Sequence, residues 1–492
     1  MASTPTTRWQ VNGYRFLVRR MEHALVRRDV RMLHDPMRAQ SRALVVGVVI
    51  ASLGLAACAA LALFRPQDKI GNASIVVGKD SGAMFVVMGD TLRPVLNLAS
   101  ARLIIGKPEN PVIVKESEIE SRPRGALVGI PGAPSALPPG DPAAKTPWTV
   151  CDSIAADGNR SVTTSIIVGE KEVVEDGSVL AGSRGLLVST NDVSYLLYDG
   201  KRARIDLNDP AVVRALGLEG ARPRPVSAGL VNAVPEVPPL AVPDIPGVGD
   251  QPRFALQGKV VGSVFESKLP SETSYYVVLH DGIQKISSAV ANLIFLSNSH
   301  GDTEMPSVTP DTIRGIKSVE QIEVAHFPES APEVVAASEN PVSCATWKPL
   351  RGADGSDSSG PAAELTLFAG RTLPIPDTAR PVRLAQADDA GDNADFVYVQ
   401  PGRSGFFQST GIEPTSTRRD STFFVADTGV RFGIPDDDAA EALGQVGTKP
   451  LAPWQILGLL AQGPSLGKSS ALVAHDGVAP DPRPAPIASG SN

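Results

Sequence analysis

The chain has 492 residues, 42% hydrophobic and 20% charged, which is enough for a large core and, at roughly 150 residues per domain, for about three domains. The formal net charge of −7 excludes a generally basic nucleic-acid binder, and three cysteines exclude a disulfide-dense scaffold and most multi-cysteine zinc modules. Glycine and proline number 88 together, an excess that favours many turns over a compact helical bundle.

Charge is unevenly placed. Residues 1–42 hold nine arginines, no lysine and three acids, a net of +6 that leaves −13 on the rest. Within them, 9–32 reads as a basic amphipathic helix. Tyr14, Leu17, Met21, Ala24 and Leu25 recur at steps of three or four, and Arg15, Arg19, Arg20, Arg27, Arg28 and Arg31 fill much of the remainder. Such a helix lies on anionic lipid headgroups or docks on a partner protein, and the two roles can coexist; a nucleic-acid role is set aside. Tyr14, Arg15, Leu17, Arg19, Arg20 and Met21 are the candidate docking residues.

Segment 43–64, ALVVGVVIASLGLAACAALALF, has 22 residues and no charge. At ~1.5 Å per residue it spans ~33 Å, enough for a ~30 Å hydrocarbon core. A cleaved signal peptide and a lipoprotein signal at Cys58 both conflict with the 42-residue segment before it, and a buried core helix is rarely so uniformly uncharged. The reading is a retained single-pass anchor. The denser basic flank is N-terminal, which places 1–42 in the cytoplasm and about 428 residues outside.

The outer part repeats one pattern: apolar strand, tight turn, short strand, then a helix. It occurs at 84–106, 195–217, 275–296 and 423–444. Asp199-Gly200 and Asp281-Gly282 read as hairpin dipeptides, Asn97 and Asp209 as helix N-caps, and Gly106, Gly217 and Gly444 as residues closing helices. Starts 111, 80 and 148 residues apart exclude a closely stacked solenoid and suit four small α/β modules around a central piece; chance similarity of hairpins is the alternative. The expected divisions are module one at 65–130, a Pro-rich linker at 131–147, module two at 148–221 and a second Pro-rich linker at 222–253. Module three with central strands then covers 254–350, central strands with module four 351–476, and a disordered tail 477–492. The segment 352–360 reads as a flexible loop.

Outside the anchor only Cys151 and Cys344 remain, each near a tryptophan, in WTVC and CATW. An oxidising compartment permits a bridge between them, worth roughly 5 kcal/mol as an upper figure for so long a loop; two free buried thiols are the alternative. GPSLGKS at 463–469 puts three residues between its glycines where a P-loop has four, and a helical pattern, PWQILGLLAQ, where a P-loop has a strand. Gly463, Gly467, Lys468 and Ser469 are therefore weak nucleotide candidates. The same residues match a nucleophile elbow at Ser465, with His475 the nearest base; a helix end followed by a turn at Gly463-Pro464 is the plainer reading. The six histidines show no metal-ligand spacing, and Asp388, Asp389, Asp392 and Asp395 read as solvated loop charge rather than a calcium loop.

Five segments carry a resemblance: QVNGYRFLVRRMEHALVRRD (10–29), LRPVLNLASARLIIG (92–106), WTVC (148–151), CATW (344–347) and QILGLLAQGP (455–464). With one anchor and one cysteine pair, the chain resembles the EccB family, a membrane component of actinobacterial type VII (ESX) secretion systems, along nearly all its length. The family segment usually has a basic residue before Gly-Pro, and Gln462 stands there instead. The resemblance implies an α/β outer domain of repeated modules about a central β-rich domain, tied by a disulfide that maps to Cys151 and Cys344. It implies the partners EccC, which carries an FtsK-type motor ATPase, EccD, EccE and further EccB copies, with the MycP protease as an additional candidate. It places the chain in the inner membrane with its outer domain in the periplasm. Family members have also been called ATPases, which makes ATP the one cofactor to consider. The function is thus read as structural subunit of a secretion machine, against an extracytoplasmic nucleotide hydrolase or a cell-wall binding module, the last disfavoured by 5% aromatics.

Overall fold

The computed structural model describes residues 6–31, 36–64, 69–138, 145–155, 161–169, 178–180, 182–270, 272–350, 360–388 and 393–479. Residues 352–359 of the expected flexible loop, Asp389, Asp392 and residues 480–492 of the expected tail lie outside the described residues. The chain divides into two compact units, Met1–Gly71 and Asn72–Asn492.

The first unit holds two helices. In α1 (Arg8–Arg27) a capping box closes the start: the Thr7 hydroxyl accepts from the Gln10 amide while the Gln10 side chain accepts from the Thr7 amide. Helix α2 (Pro36–Phe64) contains Ala39–Leu61, 23 residues long and apolar enough to cross a membrane.

The second unit alternates small sheets with strands of one larger sheet. A meander β1 (Ile75–Gly78), β2 (Met84–Met88), β3 (Thr91–Pro94) leads to α3 (Leu98–Ile105), and β4 (Val112–Val114) then joins parallel to β1. The chain continues into β5 (Trp148–Ile154), β6 (Val162–Val168) and β7 (Ser178–Leu180) of the larger sheet. A second meander follows, β8 (Arg184–Thr190), β9 (Val193–Tyr198), β10 (Lys201–Arg204), with α4 (Pro210–Ala215). Parallel edges are added by β11 (Arg224–Pro225) on β8 and, after α5 (Ala228–Asn232), by β12 (Glu236–Val237) on β10. The third meander is β13 (Val264–Lys268), β14 (Thr273–Leu279), β15 (Gly282–Ile286) with α6 (Ser288–Ser297).

The larger sheet is completed by β16 (Val342–Pro349), β17 (Ala363–Gly370), β18 (Val382–Arg383) and β19 (Phe396–Val399), in the order β18-β19-β6-β5-β16-β17-β7. A fourth meander, β20 (Gly405–Thr410), β21 (Thr422–Val425), β22 (Val430–Ile434), precedes α7 (Asp437–Leu443). Then β23 (Leu451–Pro453) pairs parallel with β20, α8 (Trp454–Leu457) follows, and β24 (Ala461–Gln462) pairs parallel with β22 ahead of α9 (Lys468–Ala471). The first and third meanders receive the same two parallel contacts as single bridges or short strands: Leu92 with Arg124, Glu266 with Ser307 and Ile283 with Ser318.

Burial follows strand alternation. In the second meander Leu186, Val188 and Leu197 face a core shared with Trp148, Val150 and Trp347 of the larger sheet. Their neighbours Leu187, Leu196 and Tyr198 face the opposite way, into a core shared with α4 and the third meander. The fourth meander does likewise: Phe407, Phe423 and Val425 join the central core, whereas Phe406, Phe424 and Phe432 join α7, α3 and the first meander. Strands buried on both faces have continuous apolar runs, which is why YLLY and FFV lack an alternating pattern. The core sequence is therefore third, second, central sheet, fourth, first, with α4 against α6 and α3 against α7.

Local chemistry accounts for the turns. Asn97 accepts from the Ser100 amide, and Asp209 from Ala211 and Val212, so both cap their helices; Gly106 and Gly444 close theirs in the left-handed region. Asp199-Gly200 is the two-residue hairpin loop, with φ of 45° and 69°. In the third meander the loop is His280-Asp281 instead, because Leu279 pairs with Gly282. Gly282 is demanded by packing: a Cβ there would overlap the Lys317 carbonyl. The stretch 222–253, read as a linker, is packed structure, since proline is tolerated in its short edge strands and Leu230, Val231, Leu240 and Ile245 are buried. The helix read across 453–462 stops at Leu457, and Ala461-Gln462 pairs with β22.

Gly429 turns the β21–β22 hairpin at φ 81°, where a Cβ would overlap the Val397 side chain of the larger sheet. Gly429→Ala is expected to cost about 2–4 kcal/mol from left-handed strain plus overpacking. Gly433→Ala, whose Cβ meets only Phe423 at 4.0 Å, is expected to cost under about 1 kcal/mol. Urea unfolding of the two variants in detergent measures the difference.

Candidate functional site

The docking residues lie as a stripe on α1. Tyr14, Leu17 and Met21 are exposed, at 71%, 57% and 63%, and Arg15, Arg19 and Arg20 are exposed beside them. Apolar side chains left in water next to cations form an interaction surface for anionic lipid or an apolar, acidic protein face.

Cys151 and Cys344 are bonded, 193 residues apart in sequence, and sit directly opposite each other on β5 and β16. Trp148 faces Trp347 in the same ladder, and the Thr149 and Thr346 hydroxyls meet at 2.9 Å. Cys58 is an exposed free thiol within α2.

The 463–469 segment follows the edge strand β24, runs beside β22 and enters α9. The Gly463 amide donates to Arg431 O at 2.9 Å and the Leu466 amide to Gly433 O at 2.8 Å, so these amides are turned to β22 rather than toward a phosphate. Gly467 caps the four-residue α9 that carries Lys468 and Ser469. Lys468 lines a groove of about 410 Å³ with Asp436, Asp438 and Glu441, three carboxylates that repel a polyphosphate. Ser465 Oγ reaches Gly433 O at 3.5 Å, while His475 Nε2 is 2.8 Å from Gly129 O on another edge of the fold; the structure does not join them. Among the described residues no group of three His, Cys, Asp or Glu is placed to hold a metal ion.

The acidic cluster needs correction. Asp395 is fully buried, its Oδ2 accepting from the Thr164 amide at 2.8 Å and its Oδ1 from the Asp388 amide at 3.0 Å. Aspartates near a loop look solvated in sequence, but the strand β19 that follows pulls Asp395 against β6. It belongs to a junction that composition does not reveal. Asp152, wholly buried at the end of β5, accepts from the Ser227 amide at 2.6 Å, the Ser227 hydroxyl at 3.0 Å and the Thr164 hydroxyl at 2.9 Å. Ser227 in turn caps α5 through the Leu230 amide. Burial pushes the Asp152 carboxyl up to about 6; its hydrogen bonds to Ser227 and Thr164 oppose that rise, and the nearby Asp395 charge adds to it. One signal existed: Trp148, Val150 and Asp152 alternate onto one face of a buried strand.

Two buried arginines act as cross-ties, and among the described residues their hydrogen bonds go to carbonyls and an amide rather than to acids. Arg102 of α3 donates to Leu443 O at the end of α7, to Glu109 O and to Asn110 Oδ1, joining the first and fourth units where the helix dipole is negative. Arg224 of β11 donates to Asn340 O and Val335 O, and burial lowers its guanidinium to about 10.

A model of the family described as "Type VII secretion system ESX-1, transport TM domain B" matches residues 3–480. A curated relative, "ESX-3 secretion system ATPase EccB3" of Mycolicibacterium smegmatis, is 41% identical over 97% of this chain and 92% of its own. A chain of an intact ESX-5 inner membrane complex is 35% identical with a TM-score of 0.75, covering 99% of each chain. A chain of the EccB3 dimer from an ESX-3 core complex is 36% identical with a TM-score of 0.71, covering 82% of this chain and 100% of that one.

An acid whose folded-state pKa is raised favours folding when protonated. The Asp152 contribution is full below the ordinary value of 3.8 and is lost as pH rises through about 6. Wild type is therefore expected to gain stability relative to Asp152→Asn between pH 7 and pH 4, by up to about 3 kcal/mol. Denaturant midpoints across that range check the slope; a gap that narrows on acidification contradicts it.

Proposed function

The chain belongs to the EccB family of type VII (ESX) secretion systems, and on that premise we propose that it is a structural subunit of such an inner-membrane complex, with an outer region that scaffolds and oligomerises the periplasmic part of the channel. The observation that carries the reading is the agreement of the whole chain, anchor included, with a subunit of a solved ESX-5 inner membrane complex. Among the described residues one helix is long and apolar enough to cross a membrane, which suits a single-pass protein. The nine arginines of 1–42 support a cytoplasmic N-terminus and a periplasmic outer domain.

Within this reading, Tyr14, Arg15, Leu17, Arg19, Arg20 and Met21 dock on inner-membrane lipid and on cytoplasmic parts of partner subunits. The partners are EccC, EccD, EccE and further EccB copies, with the MycP protease at the periplasmic face. The four meander-and-helix units are modules of one design, and the strands that Cys151 and Cys344 join are the central piece that holds them. The word ATPase in the relative's name is a second reading, with ATP as its cofactor. The disposition of Gly463, Gly467, Lys468 and Ser469 along a sheet edge, beside three acids, favours the motor ATPase partner as the energy source instead.

Purification of the tagged full-length chain in mild detergent is expected to recover a megadalton particle that contains an FtsK-type ATPase, seen on a native gel and by mass spectrometry. Recovery as a lone protein contradicts the scaffold reading. Any ATP hydrolysis in the particle is expected to be unchanged by Lys468→Ala; hydrolysis by the isolated chain that Lys468→Ala abolishes makes the chain an enzyme.

A further inference from the structure

Two of the meanders share a register position that differs in one residue. In the second, Arg202 of β10 lies opposite Leu197 and beside Glu236 of the parallel edge β12. Its guanidinium carbon is 5.4 Å from the Tyr195 ring centre, and its Nη2 donates to Glu236 Oε2 at 2.8 Å. In the fourth, Arg431 of β22 lies opposite Val425 and beside Gln462 of the parallel edge β24. Its guanidinium carbon is 5.8 Å from the Phe423 ring, and Phe423 precedes Val425 by the two residues that separate Tyr195 from Leu197. Gln462 thus occupies the place of the carboxylate.

The consequence is an uncompensated cation. Among the described residues Arg431 makes no ion pair and no side-chain hydrogen bond, and its Nε is buried without a partner. A second ring, Trp454, stands 5.1 Å from the guanidinium and is 44% exposed. Phe423 and Trp454 pack against each other, 5.7 Å between ring centres, and the guanidinium rests against both; held there, its planar fork matches a carboxylate bidentately. Arginine and tryptophan side by side are also the residue types that dominate binding energy in protein interfaces. The chain beyond residue 42 carries a net −13, so this is a positive point on an acidic protein, complementary to an acid from elsewhere.

We propose that Arg431, framed by Phe423 and Trp454, receives an aspartate or glutamate side chain presented by another polypeptide of the secretion complex, reproducing between subunits the Arg202–Glu236 pair found within this one. The proposal rests on the scaffold reading above. Two full-length variants test it. Gln462→Glu supplies the acid internally and occupies the site; Arg431→Met keeps the stacked length and removes the charge. Each is expected to enter the native particle at less than a tenth of the wild-type level, while the thermal midpoint of the purified chain does not fall for Gln462→Glu. Entry of either variant at the wild-type level overturns the proposal, as does a loss of entry accompanied by a lower midpoint in both. Absence of the wild-type chain from any particle removes the scaffold reading itself, a separate result.

Discussion

The pairing of β5 with β16 is the contact on which the outer region depends. It joins segments 193 residues apart, seals them with the Cys151–Cys344 bridge, and places Trp148 opposite Trp347. Everything between the two strands, including the second and third units, becomes an excursion that leaves and returns to one sheet. Everything outside them, the first and fourth units, is brought together by the same closure. Closing so long a loop is entropically expensive, and a covalent tie lifts that cost from the folded state's other interactions.

Around this closure the second and fourth units act as intermediaries. Their sheets are buried on both faces, one face on the central core and the other on a helix layer shared with the third or first unit. The polar cross-ties fall at these junctions. Asp152, Thr164, Ser227 and Asp395 connect β5, β6, α5 and the start of β19, and Arg102 ties α3 to the end of α7. Asp152, Asp395 and Arg102 each take more than one hydrogen bond, as charged groups in a low-dielectric interior require.

Much of this was legible in the residues. The uncharged 43–64 run, the caps Asn97 and Asp209, the Asp199-Gly200 turn and the cysteine pair announce themselves through short-range chemistry. The failures have a common cause. Segment 222–253 looks like linker because it is rich in proline, yet Arg224-Pro225 pairs with β8 and Glu236-Val237 with β10, and 453–462 looks helical until Ala461-Gln462 is seen to pair with β22. Asp395 looks solvated because the strand that buries it against Thr164 comes from 231 residues earlier. In each case a partner distant in sequence overrides the local preference. Arg102, the lone charge in an apolar helix, was the kind of misfit that points to a buried tie.

The β5–β16 closure is the common support of all four units. Hydrogen exchange of the full-length chain in detergent, oxidised and then reduced, addresses this directly. On reduction, protection is expected to fall together in β5, β16 and both the second and third meanders, with α2 unaffected. A loss confined to the few amides beside Cys151 and Cys344 would show that the units stand without the closure, and would contradict the account.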